Sequence, residues 1–198
     1  MENNNKKLFI ISGPSAVGKN SVIDGVKKLM PNIEETISCT TREPRPNEIN
    51  RKHYYFISEQ EFEDKIQNDE FLEYFKVHAM YYGTLKSEIN RIISKKNIPL
   101  AIIDVQGALH VKKNNTNAIL IFIKPDSWEV LEQRLKGRNT NPEELKIRLK
   151  SAKNELEQAK NYDYQVINST GKIEQAIKKV TEIIEKEVNS LENSFFSL

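Results

Sequence analysis

The chain has 198 residues, a net charge of +2 and one cysteine, Cys39. That length suits one domain with room for insertions and hides roughly 70% of the surface of the unfolded chain. The near-neutral balance gives no field that calls for nucleic acid or a membrane surface, and a lone cysteine excludes an intrachain disulfide and fits a reducing compartment. No apolar run approaches the roughly 18 residues of a membrane helix, and the opening "MENNNKK" has no apolar signal region, so a cytoplasmic protein is expected.

In chain order, the first apolar run is "LFIIS" at 8–12, short and nearly continuous, as a strand covered on both faces should be. It leads into "GPSAVGKNS" at 13–21 and a helical pattern that opens at Lys19 and stops before Pro31. Residues 36–84 break the rhythm, with "TISCTTREPRP", then "HYYFIS", then a helix. Ser58 caps that helix, Glu61 completes the capping box and Ile57 staples onto Phe62. A further helix spans about 87–97. Strands follow at 100–105 ("LAIIDV", carrying Asp104 at its end) and 118–123 ("AILIFI").

Residues 125–160 read as almost all helix. Asp126 caps a first segment, with Glu129 at its third position. Asn141, Pro142 and Glu144 start a second, whose buried stripe is Leu145, Leu149, Ala152, Leu156 and Ala159. Between them lies the basic loop "RLKGRNTN". A fourth strand, "YQVI" at 164–167, precedes a last helix from about 172, with Ile173, Ala176, Ile177, Val180, Ile183 and Ile184 on one face. Strands alternating with helices indicate an α/β fold with a parallel sheet, here carrying one mixed and one helical excursion.

Chemistry concentrates at three places. The stretch Gly13, Pro14, Ser15, Ala16, Val17, Gly18, Lys19, Asn20, Ser21 follows a strand and opens a helix, the context that the phosphate-binding pattern G-x-x-x-x-G-K-[ST] requires. The glycines let the backbone approach an anion, the N–H groups and helix start attract it, and Lys19 faces the outer phosphates. In "SCTTREPRPNE" (38–48), Pro44 and Pro46 stiffen a turn that carries Arg42 and Arg45, suited to a bidentate grip on phosphate. Asp104 is placed at a strand end, on the sheet edge where ligands of open α/β folds bind. His53, His78 and His110 lack metal-ligand spacing, Cys39 is expected half-buried and inert, and Trp128 is expected to pack.

These residues resemble the guanylate kinase family. The resemblance covers nearly the whole chain and rests on "ISGPSAVGKNS", "SCTTREPRPNE", "HYYF", "FLEYFKVHAMYYGT", "DVQG" and "RLKGRNT", in the family's order. It implies a P-loop nucleoside-monophosphate kinase that passes the ATP γ-phosphoryl group to GMP, with Mg²⁺ accompanying ATP. It also implies three parts: a core (1–35, 89–124 and 158–198), a GMP-binding region (36–88) and a lid (125–157). Carried over residue by residue, Ser38, Glu73, Thr84 and Asp104 face guanine. Arg42, Arg45, Tyr54 and Tyr82 hold the GMP phosphate, with Glu48 in the same motif. Lys19, Arg42, Arg134, Arg138 and Arg148 serve the transferred phosphoryl. From its place after the last core strand, Asn168 is expected to line the adenine side. The expected partners are ATP and GMP alone, with the chain a monomer or homodimer.

Two departures fall together. Asn20 stands where the loop usually has Ser or Thr, and Ile102 stands where the family has the first acid of the strand pair that ends at Asp104. P-loop enzymes hold Mg²⁺ with that hydroxyl and a strand-end acid, so Asn20 is expected to serve the metal only weakly or through water. Two alternatives remain at this level: a non-catalytic module of the same fold that binds a partner protein, and a kinase for another monophosphate.

Overall fold

Alternating apolar strands and amphipathic helices assemble into two sheets in the computed structural model, which describes residues 7–77, 79–115, 117–137 and 141–195. The chain runs β1 (Leu8–Ser12), α1 (Lys19–Leu29), β2 (Ile33–Glu35), β3 (Cys39–Thr40), β4 (Tyr55–Phe56), α2 (Glu59–Gln67), β5 (Phe71–Val77) and β6 (Met80–Leu85). It continues with α3 (Lys86–Ser94), β7 (Ile98–Ile102), α4 (Val105–Asn114), β8 (Ala118–Lys124) and α5 (Trp128–Lys136). It closes with α6 (Pro142–Glu157), a 3₁₀ turn (Gln158–Asn161), β9 (Tyr164–Ile167) and α7 (Ile173–Phe195). Among the described residues no helix is long and apolar enough to cross a membrane.

The first sheet is parallel throughout, in the order β2-β7-β1-β8-β9. Its central strands bury both faces, and the pleat divides their side chains between two cores. Phe9 and Ile11 of β1, with Ile119, Ile121 and Ile123 of β8, pack against Val22, Val26, Val180 and Ile184 of α1 and α7. Leu8 and Ile10, with Leu120 and Phe122, pack on the opposite face against Ala108 and Val111 of α4. Four of the five residues of the expected stripe lie on α6, with Ala152 buried and Leu145, Leu149 and Leu156 against the first core, while Ala159 falls in the 3₁₀ turn and packs into the second.

The second sheet is mixed, in the order β4-β3-β6-β5. Its own small core gathers Cys39, Phe62, Phe71 and Leu85. Phe62 of α2 stacks on Phe71 at 4.3 Å and on Tyr81 at 5.0 Å between ring centroids. Ser58 accepts from the Glu61 amide at 3.1 Å and Ile57 packs against this core, as the capping signals imply. The β5–β6 register slips by one residue between Phe71 and Glu73, a bulge at Leu72 that sets Glu73 opposite Thr84.

Several expectations are corrected. The strand read as 100–105 ends at Ile102, and Asp104 instead caps α4, a helix the periodicity did not reveal. β2, Ile33–Glu35, is a strand that no apolar run announces. The helix read as 87–97 ends at Ser94. Ser127, not Asp126, caps α5 through the Val130 amide, because Asp126 turns to accept from the Thr170 amide at 3.0 Å. Cys39 is fully buried rather than half-buried, and burial pushes its thiol up to about 12, so it stays protonated and inert.

Candidate active site

The loop between β1 and α1 emerges at the carboxyl edge of the parallel sheet, flanked by β7 and β8. Gly13 has φ +147°, and a Cβ there would stand 2.2 Å from the Ile123 carbonyl oxygen. No side chain fits that position. Gly18, with φ +95°, supplies no side-chain cap to α1, which leaves the first N–H groups of the helix to an anion. Asn168, at the end of β9, donates its side-chain amide to the Val17 carbonyl at 2.8 Å and is buried behind Gly18. It therefore buttresses the loop from behind. Pro14 and Val17 are buried, Ser15 and Ala16 half-buried, and Asn20 and Ser21 exposed.

The cationic residues are held rather than dangling. Lys19 Nζ donates to the carbonyls of Gly13 at 2.5 Å and Pro14 at 3.0 Å, folding back over its own loop. Arg134 of α5 reaches the same loop, donating to the Val17 carbonyl at 3.4 Å and to Thr170 Oγ1 at 3.0 Å. Arg148 pairs instead with Glu144, one turn earlier on α6, so its ion pair stays within its own helix. Arg138 lies outside the described residues, as does His78. Trp128 packs as expected, under the Lys153 ammonium at 4.9 Å.

Across the cleft, Arg42 forms a two-pronged pair with Glu48, at 2.9 and 3.0 Å, and also donates to the Glu43 carbonyl at 2.7 Å. Glu48 in turn accepts the Arg45 amide at 2.7 Å. These bonds, the Arg42 guanidinium foremost, hold the Glu48 carboxyl down at about 2. Arg42 also lies over the Tyr54 ring at 5.5 Å, and Tyr54 meets Tyr82 edge-on at 6.3 Å. The structure thus brings Arg42, Glu48, Tyr54 and Tyr82 together, while the Arg45 side chain is exposed beside them.

The third cluster is the least soluble in its chemistry. Glu73 is 5% exposed and Thr84, facing it across the bulged strand pair, 1% exposed. Asp104 spends one oxygen on the helix cap, accepting from the Gln106 and Gly107 amides at 2.8 and 3.1 Å. Its Oδ2 and Glu73 Oε2 are both buried with no hydrogen-bond partner. A methyl placed on Gly107 would stand 2.9 Å from Glu73 Oε2 and 3.4 Å from Asp104 Oδ2, so the two free oxygens border one small space that only glycine leaves open. Burial pushes the Glu73 carboxyl up to about 7, and the Asp104 charge adds to that against hydrogen bonds from Thr84. Unpartnered buried carboxylate oxygens are costly, and such sites are characteristic of ligand recognition. Gly107 closes the "DVQG" stretch, which does not say why a glycine is needed there, and the bulge at Leu72 has no signal in the sequence.

Two cavities meet at Ile102, which lines both. One, of about 250 Å³, borders Gly13, Ser15, Lys19, Asp104 and Glu155. The other, of about 920 Å³, borders Asn20, Ser38, Glu48 and Tyr54. Gly13, Lys19 and Asp104 thus border the smaller cavity and Ser38, Glu48 and Tyr54 the larger, with Ile102 on the wall of both. Among the described residues no group of three or more His, Cys, Asp or Glu side chains could by itself hold a metal.

Comparison with known proteins agrees with this geometry. A family model described as guanylate kinase matches residues 5–187. The chain is 46% identical over 182 residues to a guanylate kinase of Fusobacterium nucleatum, covering 91% of this chain and 97% of that one. It is 44% identical to a guanylate kinase of Rickettsia felis, covering 91% and 94%. The crystal structure of guanylate kinase from Anaplasma phagocytophilum superposes with a TM-score of 0.71 at 28% identity, covering 92% of this chain and 86% of that one.

Proposed function

We infer the roles that follow from one premise: the chain belongs to the guanylate kinase family, and transfers the γ-phosphoryl group of ATP to GMP, giving ADP and GDP. The observation that carries the assignment of roles is the pair of unpartnered carboxylate oxygens on Glu73 and Asp104. Guanine presents N1–H and N2–H₂ as donors and O6 as an acceptor. The two oxygens accept from the donors, and the hydroxyls of Ser38 and Thr84 complete the edge. Adenine has an unprotonated N1, which would face a carboxylate acceptor to acceptor. Sites built to hydrogen-bond a substrate reject analogues that leave buried polar groups unpaired.

The excursion at 36–88 is the GMP-binding region, and α5 with α6 is the lid over the nucleotide cleft. Arg42, Arg45, Tyr54 and Tyr82 hold the GMP phosphate. Glu48 takes only part of the five-donor fork of Arg42 and so aims the remainder. The loop from Gly13 to Ser21 cradles the ATP phosphates, and Lys19 leaves its two carbonyls for the outer phosphates. Arg134, already docked on the loop, and Arg148 and Arg138 supply further charge to the transferred group. The acceptor is an anionic phosphate oxygen, so no general base is required; alignment, neutralisation of charge and exclusion of water do the work. Closure of lid and GMP region accompanies binding. The partners are ATP and GMP in the cytoplasm. The binding-module alternative has no support, since Gly13, Gly18 and Lys19 are in place and the relatives found are named as kinases.

The test is release of ADP with GMP, AMP, UMP and TMP as acceptors. GMP is expected to turn over and the others to stay near background. Equal rates with GMP and AMP would overturn the reading of Glu73 and Asp104.

Mg²⁺ is the metal this family implies. The residues present fit a metal that stays on the phosphates: exposed Asn20 offers one neutral amide oxygen, and Ile102 offers none. Mg²⁺ keeps several waters and binds chiefly through substrate phosphates, so one hard oxygen suffices. When bound, it neutralises phosphate charge. Loss of groups that orient metal-bound water costs about 10–100-fold in metal affinity or activity. Asn20→Ser with Ile102→Asp is therefore expected to lower the Mg²⁺ concentration for half-maximal rate, and by more than either change alone. Calorimetric titration of Mg²⁺ into the nucleotide-free parent should show no binding. A parent that saturates at the same Mg²⁺ as the double variant would refute the altered metal shell.

A further inference from the structure

The chain crosses between core and GMP-binding region twice, outward after β2 and back at α3. Both crossings converge on one carboxylate. Glu88, in the first turn of α3, is 3% exposed. Its Oε2 accepts the Ile37 amide at 3.0 Å, on the outward crossing. Its Oε1 accepts the Tyr55 hydroxyl at 2.7 Å, from β4 inside the region. Arg91, one turn along α3, donates to both oxygens at 2.8 and 2.9 Å. Arg91 also pairs with Glu34 of β2, which Asn97 and Lys95 engage at 2.8 and 3.0 Å. Burial alone would push the Glu88 carboxyl up, yet the bonds from Arg91, Ile37 and Tyr55 bring it below its ordinary value, so it is charged as well as buried.

A buried charge on this scale is retained only where every lone pair is used. If α3 alone needed the pair, Arg91 would satisfy Glu88 locally. The bonds to Ile37 and Tyr55 reach into two other segments. Those segments are the covalent neighbours of substrate groups: Ile37 precedes Ser38, Tyr55 follows Tyr54, and Thr84 lies just before α3 on the return crossing.

We propose that Glu88 is a positioning residue for GMP: it pins both crossings and β4 to the core, and so fixes where Ser38, Tyr54 and Thr84 meet the acceptor nucleotide. Both of its carboxylate oxygens are taken up by Ile37, Tyr55 and Arg91, so it acts through those partners. The inference rests on the GMP site proposed above. The phosphate-binding loop lies on a different connection, between β1 and α1, so the effect should fall on GMP and spare ATP.

Tyr55→Phe and Glu88→Gln, in the full chain, test this through KM for GMP, KM for ATP, kcat and Tm. Tyr55→Phe deletes one hydroxyl and keeps the ring, so it guards against a Glu88 variant that fails to fold. Loss of one hydrogen bond to a charged partner corresponds to roughly tenfold or more. The GMP KM is expected to rise roughly tenfold in Tyr55→Phe and further in Glu88→Gln, with the ATP KM unchanged within about twofold. A GMP KM that does not move, or one that rises only in step with that for ATP, overturns the proposal whatever Tm does, since a merely structural role predicts that pattern. Glu73→Gln, assayed alongside, separates the two readings. If it raises the GMP KM while the Glu88 and Tyr55 variants do not, only the pin fails. If it leaves GMP untouched, the GMP site is misassigned and both readings fall.

Discussion

Lys19→Ala is expected to lower kcat by roughly 10²–10³-fold, the scale for removing one preorganised electrostatic contact to developing charge, while the protein still folds. In the structure Lys19 Nζ rests on the Gly13 and Pro14 carbonyls, at the lip of the small cavity that also borders Ser15 and Asp104. The ammonium is therefore already at the loop when ATP arrives, and exchanging two carbonyls for phosphate oxygens requires only a swing of the side chain. Phosphoryl transfer spreads charge over the equatorial oxygens and leaves the protein little else to contribute, so the loss should appear in kcat more than in KM for GMP. The fold should notice less. The two hydrogen bonds come from a charged donor, about 1.5–3 kcal/mol each before the recovered hydration of the half-buried ammonium is set against them, and in a chain of this size one kcal/mol moves Tm by about 2–4 °C. Thermal melts of the variant should thus fall by a few degrees. Activity within a few-fold of the parent would remove the phosphate-binding role from this loop.

What the sequence made legible was local. The loop declares itself because its chemistry is backbone chemistry: a strand, two glycines at fixed spacing and a helix start are all read along the chain. β1 and β8 are legible to within a residue because strands buried on both faces are continuous apolar runs; β9, at the sheet edge with Gln165 and Ile167 exposed, is legible from its branched apolar residues. What escaped was decided by contacts distant in sequence. β2 spans Ile33–Glu35, and two of its three residues are glutamates whose partners come from α1, α3 and the residues after it, so no apolar run marks it. Asp104 extended an apolar run and was read as a strand end, but its free backbone choice was settled by the helix it caps. Asp126 and Ser127 are both good caps, and the choice between them was made by Thr170, more than forty residues on. The bulge at Leu72 is invisible in sequence, yet it sets Glu73 opposite Thr84, the pair to which we assign the guanine edge. Resemblance to a family supplied Glu73 and Asp104 as partners; their unpaired oxygens and the glycine that keeps the space open came only from the structure.

Glu73→Gln should raise the GMP KM by about 10–150-fold, the range for losing a hydrogen bond to a charged acceptor, about 1.5–3 kcal/mol. Discrimination against AMP should narrow, because a glutamine can turn either its oxygen or its NH₂ toward the base. The pH dependence makes this prediction specific. Burial, then the Asp104 charge, raises the free-site Glu73 carboxyl from its ordinary 4.5 to about 7. Folding therefore favours its protonated form. That contribution to stability is complete below about pH 4.5 and is lost as pH rises through about 7. The parent's Tm should carry this decline across that window, and the glutamine variant should lack it. Guanine reverses the preference, since its N1–H and N2–H₂ donors need the ionised form. GMP binding near pH 6–7 should then expel a proton, and the binding heat should vary with the ionisation enthalpy of the buffer in the parent but not in the variant. The GMP kcat/KM should climb with pH through the same window, while AMP, which gains nothing from the charge, should not follow. A parent whose binding heat is the same in every buffer, together with an unchanged GMP KM in Glu73→Gln, would mean that this carboxylate does not face the base, and that its buried oxygen serves some purpose other than reading guanine.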